Sequence, residues 1–222
     1  MAVSVVIPTL NEEERIAAAV ESAFAAGAAE VIVADGGSVD RTTRFATSAG
    51  ARVLLAEPMR SRQLNQGGRS ALNDALIFLH ADTRLPPGAA PAVAHALAHG
   101  ADFGGFRLAF AEPSRKLRLA AALINLRTAF TRCPWGDQAQ FIRRDAFLRL
   151  GGFREIPLME DYDLAIRMKR IGRSILLPLT VTTSGRRFLR KGVLRTAAAN
   201  WRTVIRFRTG ADIDELARSY RR

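Results

Sequence analysis

Carboxylates recur where apolar runs of this chain stop. EVIVAD (30–35) ends in Asp35 and ALIFLHAD (75–82) in Asp82, while MEDYDL places Glu160, Asp161 and Asp163 ahead of a helical pattern. An aspartate at one strand end often only caps the next turn. Two at the ends of neighbouring strands are different, because Glu12 lies nearby and Asp35 opens an Asp-Gly-Gly turn. Glycines there let backbone approach a ligand, so these carboxylates read as one site. No HxH, HExxH or Cys/His cluster supports a protein-only zinc site.

The elements that must position these residues follow from the pattern around them. VSVVIP (3–8), EVIVAD, RVLLAE (52–57) and ALIFLHAD are short, continuous apolar runs rich in β-branched residues. Between them lie helical patterns over 11–27, 38–49 and 61–72, the first with Asn11 as N-cap and Gly27 as stop. Apolar strands alternating with helices predict a mostly parallel, Rossmann-like α/β sheet with helices on both faces. Ligands of such sheets bind beyond the carboxyl ends of the strands. Pro8 to Glu12, Asp35 to Ser38 and His80 to Thr83 therefore share one edge.

Six segments, in this order, resemble the family 2 glycosyltransferases: SVVIPTLNEEERI (4–16), VIVADGGSVDRT (31–42), RSRQLNQG (60–67), FLHADTRLP (78–86), GDQAQFIRRDAF (136–147) and GGFREIPLMEDYDLAIRMKRIG (151–172). Within that family the HAD form, SRQLNQG, and GDQ before MEDYDL are similar to a bacterial subgroup found near radical-SAM proteins and associated with arsenosugar biosynthesis. The resemblance implies the GT-A fold over residues 1–185, followed by a basic helical extension, 186–222. It implies a nucleotide-sugar donor, a uridine diphosphate sugar, and places Pro8, Thr9 and Glu12 in the nucleoside pocket. Asp35 would accept the base's imide N–H, and Arg62, with Asn65 near it, would lie against base or phosphate. An exposed helix position is the alternative for Arg62.

Asp82 matches the family's metal-binding aspartate, which implies Mg2+ or Mn2+ completed by the donor's diphosphate. His80 stands where the family has the first acid of an acid-x-acid pair. Three readings stay open for it: a second ligand, a partner for ribose or phosphate, or a buried strand-end histidine. The Glu160–Asp161 pair matches the family's catalytic base, with Asp161 the residue that takes the acceptor's proton in an inverting displacement. Acids capping a helix dipole are the structural alternative. Asp137 is the second candidate, with Gln138 and Trp135 assisting it, Trp135 as a sugar platform or as core.

Charge separates the two halves. Residues 1–100 hold 8 Arg/Lys against 10 Asp/Glu, 101–185 hold 14 against 8, and 186–222 hold 11 against 3, so the net +12 belongs to the second half. Arg186 and Arg187 follow the last core strand and suit a diphosphate clamp or an exposed basic turn. No reader motif or aromatic stacking set accompanies the charge, which argues against nucleic acid. EPSRKLRLAAALINLRTAFTRCP (112–134) reads as an amphipathic helix suited to closing over substrate, pairing two subunits as a homodimer, or lying on a membrane surface.

One cysteine, Cys133, excludes an internal disulfide, and the start VSVVIPT reads as a strand rather than a leader. A cytoplasmic enzyme, in peripheral contact with the membrane through its basic tail, is the expectation. Acceptors of three kinds fit: a small molecule, a lipid phosphate or a glycan. A nucleotidyltransferase is the rival enzyme, but IPTLNEEER lacks the Gly-rich, Lys-bearing phosphate loop it would use. A non-catalytic nucleotide-binding partner protein is the other rival.

Overall fold

A computed structural model describes residues 1–221. Its centre is an eight-stranded sheet in the order β3-β2-β1-β4-β7-β6-β8-β5. The strands are β1 (Val3–Thr9), β2 (Glu30–Asp35), β3 (Arg52–Leu55), β4 (Ala75–Phe78), β5 (Thr83–Arg84), β6 (Phe103–Phe110), β7 (Phe141–Arg143) and β8 (Ser174–Thr183). β3, β2, β1 and β4 run parallel. β7 then pairs antiparallel with both β4 and β6, β6 pairs parallel with β8, and the short β5 pairs antiparallel with β8. The expected α/β architecture is present, with its parallel part in the first half and its mixed part in the second.

The continuous apolar strands are explained by two cores. In β1, Val3, Val5 and Ile7 belong to one cluster and Val6 to the other; β2 divides Val31 and Val33 from Ile32 in the same way. Successive side chains of a strand point to opposite faces, so a strand covered on both sides is apolar at most positions, and buried Ser4 in β1 is satisfied by a hydrogen bond to Glu30. One face is covered by α1 (Ile16–Ala25) and α4 (Ala89–Ala98). The other is covered by α3 (Arg60–Ser70), α6 (Arg144–Arg149) and α7 (Glu160–Ile171). α2 (Thr42–Ser48) packs beside α1. Helix α3 comes so close to β1 that no side chain fits at Gly67, where a Cβ would run into Val6.

Two boundaries differ from the sequence expectation. Helix α1 begins at Ile16, five residues after Asn11. Asn11 sits in the left-handed region (φ 54°), and its side-chain oxygen accepts the Val39 N–H (3.0 Å), tying the loop after β1 to the loop after β2. Its cross-loop bond replaces the helix cap. The strand expected over 52–57 is only four residues long, since Pro58 follows closely and the chain turns into α3.

The second half adds α5 (Arg115–Thr131), a 3-10 turn at Gly136–Gln138, and three C-terminal helices, α8 (Arg186–Lys191), α9 (Val193–Arg208) and α10 (Ile213–Arg221). α9 packs on both α5 and α10. Val204 of α9 joins the α7-side core, with Phe207 packed against it. No helix among the described residues is long and apolar enough to cross a membrane.

Candidate active site

The strand ends enclose two adjoining spaces. A cleft of about 390 Å3 is lined by Pro8, Thr9 and Glu12 at the end of β1, and by Pro58 and Gln63 at the start of α3. A deeper cavity of about 250 Å3 is lined by Trp135, Asp137, Asp161, Arg187 and Tyr220. Arg60, His80 and Asp82 line both and mark the junction. Asp82 also borders a third space, about 350 Å3, with Arg15, Glu112 and Arg186.

Asp161 stands in the first turn of α7, where the unpaired N–H groups and the helix dipole favour a negative charge. One carboxylate oxygen accepts the Gly136 N–H (2.6 Å) and the other the Tyr162 N–H (2.7 Å). The Gln140 amide donates to the Asp161 carbonyl (2.9 Å) and to the Pro134 carbonyl (2.9 Å), which braces the two segments together. Gly136 matters through what it lacks. A Cβ there would lie 2.8 Å from His80 Nε2 and 2.9 Å from an Asp161 oxygen, so only glycine lets imidazole and carboxylate face the same point. Met159 and Ala139, each two residues from a cavity aspartate, hold left-handed backbone (φ 67° and 46°). Such strain costs about 1–3 kcal/mol and persists where packing over-determines it.

Asp137 differs from Asp161 in its surroundings. One of its oxygens is buried without a hydrogen-bond partner. Burial, with Asp161 and Asp82 close by, pushes its pKa up to about 6 despite the Arg127 guanidinium. Burial and the Arg60 guanidinium drive the His80 imidazole down to about 4, outweighing Asp82 and Asp161, so His80 is neutral at pH 7. Arg60 itself donates to Glu160, which is buried at the start of α7. The Arg127 guanidinium lies over the Trp135 ring, 3.7 Å from its centroid.

Several expected residues stand off the cavities. The Asp35 carboxylate is buried and accepts from Thr9 Oγ1 (3.1 Å), Ser38 Oγ (2.5 Å) and the Gly37 and Ser38 N–H groups (3.0 and 2.8 Å). It fastens the turn after β2. Asn65 bonds the Phe153 backbone at both groups (2.8 and 2.9 Å). Gln138 donates to the Phe106 carbonyl (3.1 Å) and accepts from Thr128 (2.7 Å) and Arg127 (3.0 Å). Arg62 pairs with Glu57 and Glu155 at the surface. Arg60, two positions earlier, occupies the place toward the strand ends.

The C-terminal helices supply residues that sequence reasoning did not assign. Thr196, Asn200 and Thr203 of α9, with Tyr220 of α10, line the deeper cavity. Tyr220 Oη donates to Asn200 (3.0 Å) and accepts from Arg187, whose guanidinium also stacks on the Tyr220 ring (3.8 Å). The signal was present, since Thr196, Asn200 and Thr203 recur at i, i+4 and i+7, one polar stripe of a helix. A divalent-cation cage made of three or more His, Cys, Asp or Glu is absent among the described residues. Asp82 accepts only a long hydrogen bond from neighbouring Thr83 (3.4 Å), which leaves oxygen lone pairs toward the junction. A single hard carboxylate of this kind suits a Mg2+ or Mn2+ ion that takes its other oxygens from a diphosphate and water.

A parallel strand edge joined to an acidic cavity is the kind of site in which open α/β folds bind ligands beyond the carboxyl ends of their strands. The family model for Glycosyl transferase family 2 matches residues 4–196, and the chain belongs to that family. It is similar to the undecaprenyl-phosphate 4-deoxy-4-formamido-L-arabinose transferase of Pectobacterium carotovorum subsp. carotovorum (strain PC1), at 33% identity over 137 residues, 56% of this chain and 42% of the relative. The Yersinia pestis protein of the same name is 30% identical over the same shares. The chain thus spans less than half the length of these curated relatives. Among solved structures, S. aureus TarS 1-349 superposes with a TM-score of 0.65 at 16% identity, covering 83% of this chain and 60% of that one. Glucosyl-3-phosphoglycerate synthase from Mycobacterium tuberculosis, in complex with Mn2+, uridine-diphosphate and phosphoglyceric acid, gives 0.61 at 21% identity, covering 95% and 79%. At these identities the likeness carries the GT-A fold.

Proposed function

We propose that this chain transfers a sugar from a nucleoside-diphosphate sugar, a uridine diphosphate sugar, to an acceptor hydroxyl with inversion at the anomeric carbon. The observation that carries this reading is the junction: Arg60, His80 and Asp82 line both the cleft at the end of β1 and the cavity holding Asp137 and Asp161. A donor spanning the two spaces puts its nucleoside beside Pro8, Thr9 and Glu12, its diphosphate near Arg60 and Asp82, and its sugar in the cavity. The acceptor oxygen attacks the anomeric carbon as the bond to the diphosphate breaks, and the electron pair of that bond leaves with the nucleoside diphosphate. Asp161 takes the acceptor's proton, held in place by the Gly136 and Tyr162 N–H groups. No enzyme-bound glycosyl intermediate is formed.

Arg60 and Arg187 answer the negative charge that develops on the leaving diphosphate. Asp82 would hold Mg2+ or Mn2+, which supplies further neutralisation of the same charge when bound. Neutral His80 offers a hydrogen bond without adding a second cation beside Arg60. The mycobacterial synthase, crystallised in complex with Mn2+ and uridine-diphosphate, supports this choice of donor and ion. The test is a thermal-shift series of nucleoside diphosphates and their sugars with and without Mn2+. Stabilisation by UDP that is enhanced by Mn2+ and weakened by Asp82→Ala is the expected result. Equal stabilisation of both proteins, with or without the ion, would remove the metal role.

A further inference from the structure

We infer that the groove between α5 and α9 holds the hydrocarbon chain of the acceptor, and that the acceptor is an amphiphile ending in a phosphate. This rests on the glycosyltransferase reading and names its acceptor class. The groove measures about 500 Å3 and is lined by apolar side chains of both helices. Several of these are large residues held in water: Leu194 is 86% exposed, Phe130 81%, Leu119 63% and Leu123 58%. A cluster of this kind on one face marks a binding surface for apolar matter.

Two observations say what covers it. The first is continuity. Trp135, Asp137, Phe188 and Asn200 line both this groove and the deeper cavity, so a chain lying between α5 and α9 runs directly to the Asp161 side of the site. The second is charge. Helix α9 divides by face, with Thr196, Asn200 and Thr203 to the cavity and Leu194, Ala197 and Trp201 to the groove. Its third face, with Arg195, Arg202 and Arg206, joins Arg187, Arg190 and Lys191 around a basic space of about 650 Å3. An apolar trough beside a cationic wall, meeting at the catalytic cavity, complements a long apolar chain with an anionic head. A neutral sugar acceptor would leave both surfaces without a partner.

In the transfer, the P–OH of the head group serves as the acceptor hydroxyl: its oxygen forms the new bond to the anomeric carbon while the donor's bond to diphosphate breaks. A singly protonated phosphate gives its proton to Asp161. The products are a lipid-linked glycosyl phosphate and the nucleoside diphosphate.

Both of the chain's tryptophans, Trp135 and Trp201, line the groove, so intrinsic fluorescence reads its occupancy directly. Titration with dodecyl phosphate below its micellar concentration should shift the emission to the blue and saturate, while inorganic phosphate and a neutral dodecyl glycoside should bind at least tenfold more weakly. Leu123→Asp and Leu194→Asp, at exposed positions whose folding is verified by circular dichroism, should each weaken dodecyl phosphate binding at least tenfold. Equal binding of inorganic phosphate, equal binding of the neutral glycoside, or unchanged binding in both variants overturns the inference. So does a concentration-dependent dimer that Leu123→Asp dissociates, because a second copy would then be the occupant. UDP stabilisation of the unaltered chain, measured in parallel, tests the glycosyltransferase reading separately: UDP binding without dodecyl phosphate binding defeats only the groove.

Discussion

The halves of this molecule bury their apolar residues in opposite ways. In β1, β2 and β4 nearly every side chain is enclosed between helices, and the carboxylates at their ends are tied into turns or aimed at a cleft. In α5, α8 and α9, leucine, phenylalanine and tryptophan stand in water beside arginines. The first arrangement is what a rigid donor platform needs, since a nucleotide pocket made of strand ends moves little. The second leaves surface unspent by folding, and such surface is available to a ligand. The proposed donor and acceptor sides of the site are therefore built by different physical means.

The sharpest way to break this comparison is at the junction. Asp161→Asn should lower kcat by about 10²- to 10⁴-fold, the range for loss of a positioned general base, while UDP-induced stabilisation persists. Loss of UDP binding instead would make Asp161 a structural acid of the donor side. Gly136→Ala tests the crowding between His80 and Asp161: displacement of the carboxylate should cost about 10²-fold in kcat with the fold intact. A variant as active as the parent would show that the close approach is not needed.

The platform itself is tested at Glu30. Burial raises its pKa, but bonds from Ser4 (2.6 Å), the Leu72 N–H (3.0 Å) and Arg52 (2.7 Å) outweigh this and hold the carboxyl below its ordinary value of 4.5. A depressed folded-state pKa contributes stability that is fully present above 4.5 and is lost as pH falls through the folded value. Glu30→Gln should therefore be less stable by about 1–3 kcal/mol at pH 7 in urea unfolding. The difference should shrink below pH 4.5. A gap that stays constant with pH would place the effect in packing. The smallest effect belongs to the C-terminal wall, where Tyr220→Phe removes one hydrogen bond to Asn200 and one from Arg187. A stability loss of about 0.5–1.5 kcal/mol per bond should accompany a several-fold rise in acceptor KM. A change in donor KM alone would assign Tyr220 to the other side.

Local pattern made the platform legible. The first four strands follow from continuous apolar runs, which made Asp35 and Asp82 visible as strand-end acids, while Asp161 was singled out by the family resemblance of MEDYDL. What stayed hidden depends on partners far along the chain. Arg62 and Arg60 are alike in sequence, yet they sit about 200° apart around α3, and Glu155, which pairs with Arg62, lies more than ninety residues away. Asp35 was visible as a strand-end acid, but its four hydrogen bonds could not be read from spacing. The polar stripe of α9 was readable in principle and was masked by the arginines around it. His80, open among three readings, is a neutral, partly buried imidazole at the junction, facing both spaces.

Position 136 asks two things of one residue. The hydrogen bond that orients Asp161 comes from a backbone N–H, a donor that every amino acid except proline carries. The space shared by His80 and Asp161 comes from a missing methyl group, which only glycine provides. A side chain at this position would keep the donor and still push away its acceptor, because the Asp161 oxygen that a Cβ would crowd is the one that accepts the Gly136 N–H.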